Sequence, residues 1–254
     1  MSSPILISGS HRSGTTWVGR IIAANNSVVY IQEPFNLDSH DKRFSYAIDT
    51  WYLAAEKSAQ APHILNAYKR MFAKAQNPWH RAYAQTDIAS PIEFLKRLSW
   101  AIAEPKRVLL KDPIALMSAE WLEENLGCKV ICMIRNPLAF VGSLVKWDWK
   151  FDFNNFVRQK DLMETGLRDF AHQIIHFSEN KMDVVDQACL LWNLLHYQIV
   201  EYKVRHPGWL FVRHEDLVMN PDIGFQQIFH YIDLPYTKEV QQALRDSASS
   251  GSGE

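Results

Sequence analysis

Residues 8–17 read SGSHRSGTTW and carry the residue types of a phosphate-binding loop. Two glycines stand five positions apart, as in the pattern G-x-x-x-x-G-K-[ST], but Thr15 occupies the lysine position and Thr16 the final hydroxyl position. Where such a turn joins a strand to a helix, several backbone N–H groups converge at the positive end of the helix dipole. Arg12 supplies a permanent charge three residues before Thr15. The stretch therefore predicts an anion site that lacks the usual lysine.

A second group of polar residues follows the run KVICMI, which is apolar enough to form a buried strand. Arg135 follows this strand, Pro137 suits the first turn of a helix, and Ser143 lies eight positions after the arginine. An arginine at the end of a strand and a serine two helical turns later can flank one phosphate. Arg-Asn-Pro is also ordinary at the start of a helix, so this segment by itself leaves both interpretations open.

Charged residues follow two other predicted strands. Glu33 comes after SVVYIQ, and Lys111 and Asp112 end KRVLLKD. Parallel sheets present ligand-binding residues at the carboxyl ends of their strands, so these three side chains are candidates for the same site. A surface glutamate before a proline and a solvated lysine at a strand end are the alternative interpretations.

Alternating strands and helices must position these residues. Buried strands are predicted at PILISGS, SVVYI (27–31), KRVLLKDP (106–113), CKVICMIRNP (128–137) and GWLFVRHEDL. We predict an α/β, P-loop-like three-layer fold with a central parallel β-sheet flanked by helices. In this prediction residues 1–246 form a single domain with a helical excursion at about 40–103, and the tail 247–254 is disordered.

The loop HRSGTTWVGRII resembles the 5′-phosphosulfate loop of sulfotransferases that use 3′-phosphoadenosine-5′-phosphosulfate (PAPS). The cytosolic branch of that family has P-K-S-G-T-T-W there, so Arg12 stands where its lysine does. KVICMIRNPLAFVGSL resembles the family's 3′-phosphate segment, and WLFVRHEDLVMNPDIGFQQIFHYIDLP resembles its late strand and helix. NNSVVYIQEPFN is more similar to the carbohydrate sulfotransferase branch, in which a Glu-Pro pair follows the strand.

This resemblance implies an enzyme that moves a sulfuryl group from PAPS to a hydroxyl or amine of an acceptor and releases 3′,5′-adenosine bisphosphate. The acceptor it favours is a carbohydrate or glycoconjugate. The residues it implies in binding the donor are Arg12, Ser13, Gly14, Thr15, Thr16, Trp17, Arg135 and Ser143. Trp17 would stack on adenine, although its helical spacing alone fits a core residue equally well.

The implied reaction needs a base near the acceptor and positive charge at the bridging oxygen. Glu33 is our first candidate for the base because it matches the Glu-Pro position, and His11 and Asp112 are the alternatives. The catalytic histidine of the cytosolic branch is missing, since KDP replaces its Lys-Thr-His. Lys111 and Arg12 are the candidate cations for the leaving group.

Two parts of the chain depart from the family pattern. Residues 40–103 and 147–180 match no family segment, and Trp147 and Trp149 fit either an acceptor cleft or ordinary packing. Cytosolic sulfotransferases end in an Arg-Lys-Gly segment around the 3′-phosphate, and nothing after residue 235 resembles it.

The composition limits the partners. A net charge of −1 gives no argument for nucleic acid, and no apolar run approaches the roughly 20 residues of a transmembrane helix.

Cysteines at 128, 132 and 189 form no C-x-x-C pair, which favours reduced thiols and a cytoplasmic protein. His172 and His176 have the spacing of a metal pair, but the glutamate of H-E-x-x-H and a third ligand are missing, so we expect no metal.

Two other functions share these motifs. A P-loop small-molecule kinase could use Asp112 or Glu33 to hold magnesium, but Thr15 in the lysine position and Arg135 at the strand end disfavour it. A non-catalytic module that binds a nucleotide or glycan is disfavoured by the full set of charged candidates.

Overall fold

Parallel strands form the centre of the computed structural model, which describes residues 3–38, 47–83, 90–103 and 106–249. The strands in these residues are β1 (Ile5–Gly9), β2 (Val28–Gln32), β3 (Arg107–Lys111), β4 (Lys129–Ile134) and β5 (Leu210–Arg213). Their spatial order is β2-β3-β1-β4-β5, and every neighbouring pair is parallel. The predicted α/β class and its parallel sheet are therefore confirmed.

Helices cover both faces of this sheet. In chain order they are α1 (Thr15–Ala23), α2 (Ala61–Gln76), α3 (Pro78–Tyr83), α4 (Pro91–Ala103), α5 (Ala119–Leu126), α6 (Pro137–Lys146), α7 (Asn154–Val157), α8 (Lys160–Glu164), α9 (Ala171–Glu179), α10 (Val184–Arg205), α11 (His214–Met219), α12 (Pro221–Tyr231) and α13 (Lys238–Ser249). Short 3₁₀ turns lie at Ala55–Lys57, Pro113–Ser118 and Arg168–Phe170. Among these described helices, none combines the length and the apolar character needed to cross a bilayer.

Successive strand residues enter two separate cores, because side chains alternate between the faces of a sheet. Leu6 and Val130 pack with residues of α2, α6 and α10 on one face. Ile5 and Ile131 pack with residues of α1, α12 and α13 on the other. Burial of both faces explains why the strands are nearly continuous apolar runs, and it confirms the three-layer arrangement.

The predicted excursion at 40–103 contains α2, α3 and α4, and residues 39–46 and 84–89 of this region lie outside the described residues. Helix α2 is anchored by Ile64 and Tyr68, which are fully buried in the core that also contains Leu6. Helix α2 of this region therefore packs on one face of the sheet.

Helix α13 continues beyond residue 246, where the sequence analysis ended the domain. Val240 and Leu244 lie one helical turn apart and are buried in the second core. The helix extends through Ser249, so residues 247–249 of the predicted tail are helical. Residues 250–254 of the predicted tail lie outside the described residues.

Candidate active site

The carboxyl ends of the described strands meet at one edge of the sheet because the strands are parallel. In sheet order this edge carries Glu33 after β2, Lys111 at the end of β3, the glycine-bearing loop after β1, Arg135 after β4 and His214 after β5. A cavity of about 1060 Å³ opens along the edge and is lined by the loop, α1, the turn after β3, α6 and α13. Most of the residues that the sequence analysis singled out therefore lie around one space.

The loop between β1 and α1 has a backbone that few residue types tolerate. The φ angles of Gly9, Arg12 and Gly14 are positive, at 137°, 60° and 83°. A Cβ on Gly14 would lie 2.5 Å from Nδ1 of His214, so glycine is required there on steric as well as conformational grounds. No side chain caps the N-terminus of α1, so its first backbone N–H groups are available to a ligand. The loop has the form of an anion-binding helix N-terminus.

The hydroxyl groups of the loop fall into two sets. Ser13 is fully buried and donates to the carbonyl of Ser10, so its hydroxyl stabilises the turn. Thr15 and Thr16, in the first turn of α1, line the cavity. The two threonines are therefore the loop hydroxyls placed to meet a bound anion.

Arg12 joins the two predicted phosphate-binding segments. Its side chain is exposed, and its Nε donates a hydrogen bond of 2.9 Å to Oγ of Ser143. The two residues are 131 positions apart in the sequence, and both line the cavity. The fold thus brings the loop and the C-terminal half of α6 together at one point.

Arg135 lies close to this point but is held by a carboxylate. Its Nε is 3.5 Å from Oε1 of Glu215, and that same oxygen accepts the backbone N–H of Asn136 at 3.0 Å. Burial lowers the pKa of Arg135 from its usual value, and the side chain is not among those that line the cavity. Nε of Arg135 and Oε2 of Glu215 are both buried without a hydrogen-bond partner. Such atoms mark a place where a ligand could complete the hydrogen bonding.

His214 was not singled out from the sequence, yet it lines the cavity between the loop and β4. Burial, with a smaller effect from Arg135, lowers the pKa of His214 to about 4, so the imidazole is neutral at pH 7. Its buried Nδ1 has no hydrogen-bond partner. The rule that selected Glu33, a polar residue directly after a parallel strand, would also have found His214.

Trp17 combines a packing contact with a place in the cavity wall. Its ring meets Phe225 and His214 edge to face at 5.2 and 5.8 Å. Its Nε1 donates to Oγ of Ser247 on α13 at 3.1 Å, and both residues line the cavity. The edge of the indole is therefore fixed by the C-terminal helix, which the sequence analysis did not connect with the site.

Glu33 is held at the β2 end of the cavity by two side chains. Nζ of Lys111 forms an ion pair with Oε1, and Nδ2 of Asn36 donates to Oε2 at 2.8 Å. The Lys111 side chain is 0% exposed, whereas that of Glu33 is 20% exposed and lines the cavity with Asn36. The carboxylate thus faces the cavity while its cationic partner lies in the core.

Asp112, the first alternative base, is part of a backbone turn. Its oxygens accept the N–H groups of Phe35, Ile114 and Ala115 at 2.7, 3.1 and 3.2 Å. Burial raises the pKa of Asp112 to about 7, and the residue is not among those that line the cavity. Its carboxylate stabilises the chain reversal after β3.

His11, the second alternative base, is enclosed by aromatic rings. Its centroid lies 4.6 Å from that of Trp149 and 5.0 Å from that of Phe140, and its Nδ1 is 2.5 Å from the hydroxyl of Tyr52. Burial, with a smaller effect from Arg12, lowers the pKa of His11 to about 3. The imidazole is therefore neutral at pH 7.

Comparison with known proteins decides the family. A sequence model of the sulfotransferase family matches residues 4–238, which is most of the chain. The chain belongs to the sulfotransferase family. A search of curated protein sequences finds no significant match.

Solved sulfotransferase structures share the fold at low sequence identity. This sulfotransferase is similar to the sulfotransferase domain from the curacin biosynthetic pathway, with a TM-score of 0.54 and 16% identity over 96% of this chain and 78% of that one. It is also similar to sulfotransferase STF9 from Mycobacterium avium, with a TM-score of 0.50 and 15% identity over 100% of this chain and 69% of that one. These structures confirm the P-loop-like fold.

Family membership implies PAPS as the donor, and the residues present fit an anionic nucleotide. The free N–H groups of α1 and the exposed guanidinium of Arg12 suit the phosphosulfate, and the unpartnered atoms of Arg135 and His214 can accept further contacts. Small-molecule sites span about 300–1,000 Å³, so a cavity of about 1060 Å³ has room for donor and acceptor together. In the described ranges, no three His, Cys, Asp or Glu side chains are grouped to hold a metal ion.

Proposed function

We propose that this sulfotransferase transfers the sulfuryl group of PAPS to a hydroxyl of an acceptor, with Glu33 as the base. The observation that carries the proposal is the 2.9 Å hydrogen bond from Arg12 to Ser143, in the same cavity as the carboxylate of Glu33. This hydrogen bond joins the two segments that we assign to phosphate binding. Glu33 lines the same cavity at the end of β2. One cavity thus holds the groups that the reaction needs.

The donor would occupy the half of the cavity formed at the ends of β1, β4 and β5. The N–H groups of α1, with Gly14, Thr15, Thr16 and Arg12, are suited to the 5′-phosphosulfate. When bound, PAPS supplies a sulfuryl group on a good phosphate leaving group. The role of Arg12 is to stabilise the negative charge that develops on the bridging oxygen.

The 3′-phosphate and the adenine define the far end of this half. Ser143 lines the cavity, and Arg135 lies after the neighbouring strand, so we assign both to the 3′-phosphate. The guanidinium of Arg135 is shared with Glu215, which fixes its position and leaves other N–H groups for a phosphate. Trp17 offers an indole to the adenine while Ser247 holds its edge.

Glu33 would take the proton of the acceptor hydroxyl as the oxygen attacks sulfur. The ion pair with Lys111 and the hydrogen bond from Asn36 fix its orientation before the acceptor arrives. Lys111 is fully buried in this pairing, so its contribution is to hold and polarise Glu33. A contact with the leaving oxygen, which the family resemblance implies for Lys111, would require the ammonium to leave this ion pair.

The Glu33-Pro34 pair favours a carbohydrate or glycoconjugate acceptor by resemblance, and an amine is the chemical alternative to a hydroxyl. A sugar ring could lie on the tryptophans of the cavity with one hydroxyl at Glu33.

The cysteines support a reducing compartment. Cys128 and Cys132 are buried, and burial raises the pKa of the Cys128 thiol to about 12. Cys189 is exposed, and all three, which lie in the described residues, are free thiols. We propose that the enzyme works in the cytoplasm, where such thiols stay reduced.

Ligand binding tests the proposal against a P-loop kinase and against a non-catalytic module. 3′,5′-Adenosine bisphosphate without magnesium should raise Tm, and labelled sulfate should pass from PAPS to an acceptor library. Stabilisation by ATP that depends on magnesium, with none by the bisphosphate, would contradict the proposal. Binding of the bisphosphate with no transfer to any acceptor would identify a binding module instead.

A further inference from the structure

Three tryptophans line the cavity, and we call Trp51, Trp147 and Trp149 the tryptophan wall. The ring centroids of Trp51 and Trp149 are 5.7 Å apart, and Trp149 also packs on His11 at 4.6 Å. His11 in turn is fixed by its hydrogen bond to Tyr52. The inner part of the wall is therefore supported by a packed aromatic layer and keeps its shape without a ligand.

The tryptophan wall and Glu33 line the same cavity. Burial raises the pKa of Tyr52, the residue after Trp51, and the charges of Asp112 and Glu33 raise it further. Pro113 and Ile114 follow β3, the strand that pairs with β2, and they line the cavity between these groups. An acceptor whose hydroxyl meets Glu33 would thus contact the wall with the rest of its surface.

The other groups of this half offer few hydrogen bonds to an acceptor. Leu144, Pro113 and Ile114 add apolar surface. Beside this apolar surface, Glu33 and Asn36 are hydrogen-bonded to each other, and the polar side chain of Arg20 lines the same cavity from α1. A molecule with several hydroxyl groups would leave most of them without partners here, which is unfavourable when they are buried.

Trp147 is the outer member of the wall. Its side chain is 65% exposed, although it lines the cavity. Lys146 lies 5.8 Å from its ring centroid. A large exposed indole beside an apolar cleft is suited to covering the open face of a flat ligand.

We infer that the acceptor is an alcohol or phenol carried on an apolar, planar ring system rather than a polyhydroxylated sugar. The inference rests on the proposed function and adds the class of acceptor to it. The acceptor oxygen forms a bond to sulfur as the bond from sulfur to the phosphate oxygen breaks. The hydroxyl proton passes to Glu33, and the products are the sulfate monoester and 3′,5′-adenosine bisphosphate.

Steady-state transfer from labelled PAPS tests this assignment, with 2-naphthol as the planar probe and methyl β-D-glucopyranoside as the sugar probe. We expect kcat/KM for 2-naphthol to exceed that for the glucoside at least a hundredfold. Comparable or greater transfer to the glucoside would overturn the inference and leave the proposed function standing.

Trp147→Ala gives a second, independent measurement, because the exposed ring can be removed without opening the core. It should raise KM for 2-naphthol at least fivefold and leave the affinity for 3′,5′-adenosine bisphosphate within about twofold. Trp79→Ala is the matched control, since Trp79 is 57% exposed and is not among the residues that line the cavity. An unchanged KM in Trp147→Ala would overturn the inference.

Donor binding separates the two possible failures. If 3′,5′-adenosine bisphosphate stabilises the protein and 2-naphthol is neither bound nor sulfated, the acceptor assignment is wrong and the donor site stands. If the bisphosphate does not bind at all, the proposed function is wrong and the acceptor assignment falls with it.

Discussion

At the scale of the residue, the proposed chemistry depends on how Glu33 is held. Lys111 contacts one carboxylate oxygen from the core, and Asn36 contacts the other from the cavity side. Both oxygens are thereby oriented, and each keeps lone-pair directions that the partners do not use. The ion pair of Glu33 with Lys111 also links stability to catalysis. Removing the carboxylate would leave the buried ammonium of Lys111 without its partner.

Glu33→Gln should lower the rate of transfer by about 10²–10⁴, the usual contribution of a positioned base. Affinity for 3′,5′-adenosine bisphosphate should change by less than about twofold, because the donor half is untouched. Single-turnover transfer and titration calorimetry measure the two quantities. Glu201→Gln, on the exposed surface of α10, is the matched control.

The buried lysine requires one further variant. Glu33→Gln/Lys111→Met removes both charges, so it should recover much of the Tm lost in Glu33→Gln while remaining inactive. A double variant with wild-type activity would show that neither side chain takes part in transfer.

Gly14→Ala should abolish donor binding more severely than it affects folding. The added methyl group would meet the ring of His214 in a residue whose φ is 83°, so the loop must shift away from the anion position. Gly208→Ala is the control, since a Cβ there has no atom within 4 Å. Calorimetry with 3′,5′-adenosine bisphosphate checks the prediction, and an affinity within twofold of wild type would contradict it.

At the scale of the element, α13 is the part of the cavity wall that lies outside the family match. The match ends at residue 238, where α13 begins, yet Ala243, Leu244 and Ser247 line the cavity. Buried Val240 and Leu244 fix this helix against the same core as α1. The helix therefore forms a wall of the cavity.

Ser247→Ala should weaken binding of 3′,5′-adenosine bisphosphate about three- to tenfold. The hydrogen bond to Nε1 of Trp17 is lost, and one such bond is worth about 1 kcal/mol. Gln242→Ala, at an exposed position of the same helix, should leave affinity unchanged. Equal affinities of wild type and Ser247→Ala would show that α13 does not position Trp17.

At the scale of the whole molecule, burial has set the protonation of several groups. Burial lowers the pKa of His11 to about 3 and the pKa values of His196 and His214 to about 4. The buried Asp112 has the opposite shift, with a pKa of about 7. Folding therefore makes three histidines harder to protonate and makes the carboxylate of Asp112 easier to protonate.

The protein should lose stability as pH falls from 7 to 5. In this range unfolded histidines, with pKa values near 6.5, bind protons that the folded state does not, so unfolding takes up protons. Asp112 opposes this effect, because its carboxylate takes up a proton more readily in the folded state. The combined effect of the three histidines is larger than that of Asp112. The free energy of unfolding in urea should be about 1–3 kcal/mol lower at pH 5 than at pH 7.

His196→Gln provides the control for this pH dependence. His196 is 7% exposed, so its removal should make the loss of stability between pH 7 and pH 5 smaller. A free energy of unfolding that stays constant or rises on acidification would contradict the assignment.

Much of this molecule was predictable because its cues are local. The period of apolar residues gives the strands and helices, and glycine spacing beside Arg12 gives the loop. Residues directly after parallel strands must meet at one edge, so Glu33 and Lys111 could be assigned to the site before their contact was known. The same rule, applied to the residue directly after β5, would also have assigned His214 to the site.

Only the tertiary structure decided which of these residues touch. The order β2-β3-β1-β4-β5 pairs Glu33 with Lys111, brings Arg12 to Ser143, and places Glu33 and His214 after the two outermost strands. The tryptophan wall and the contact between α13 and Trp17 join segments far apart in the chain. Local sequence determines each element through its own periodicity and turns, whereas strand order and long-range packing depend on the free energy of the whole fold.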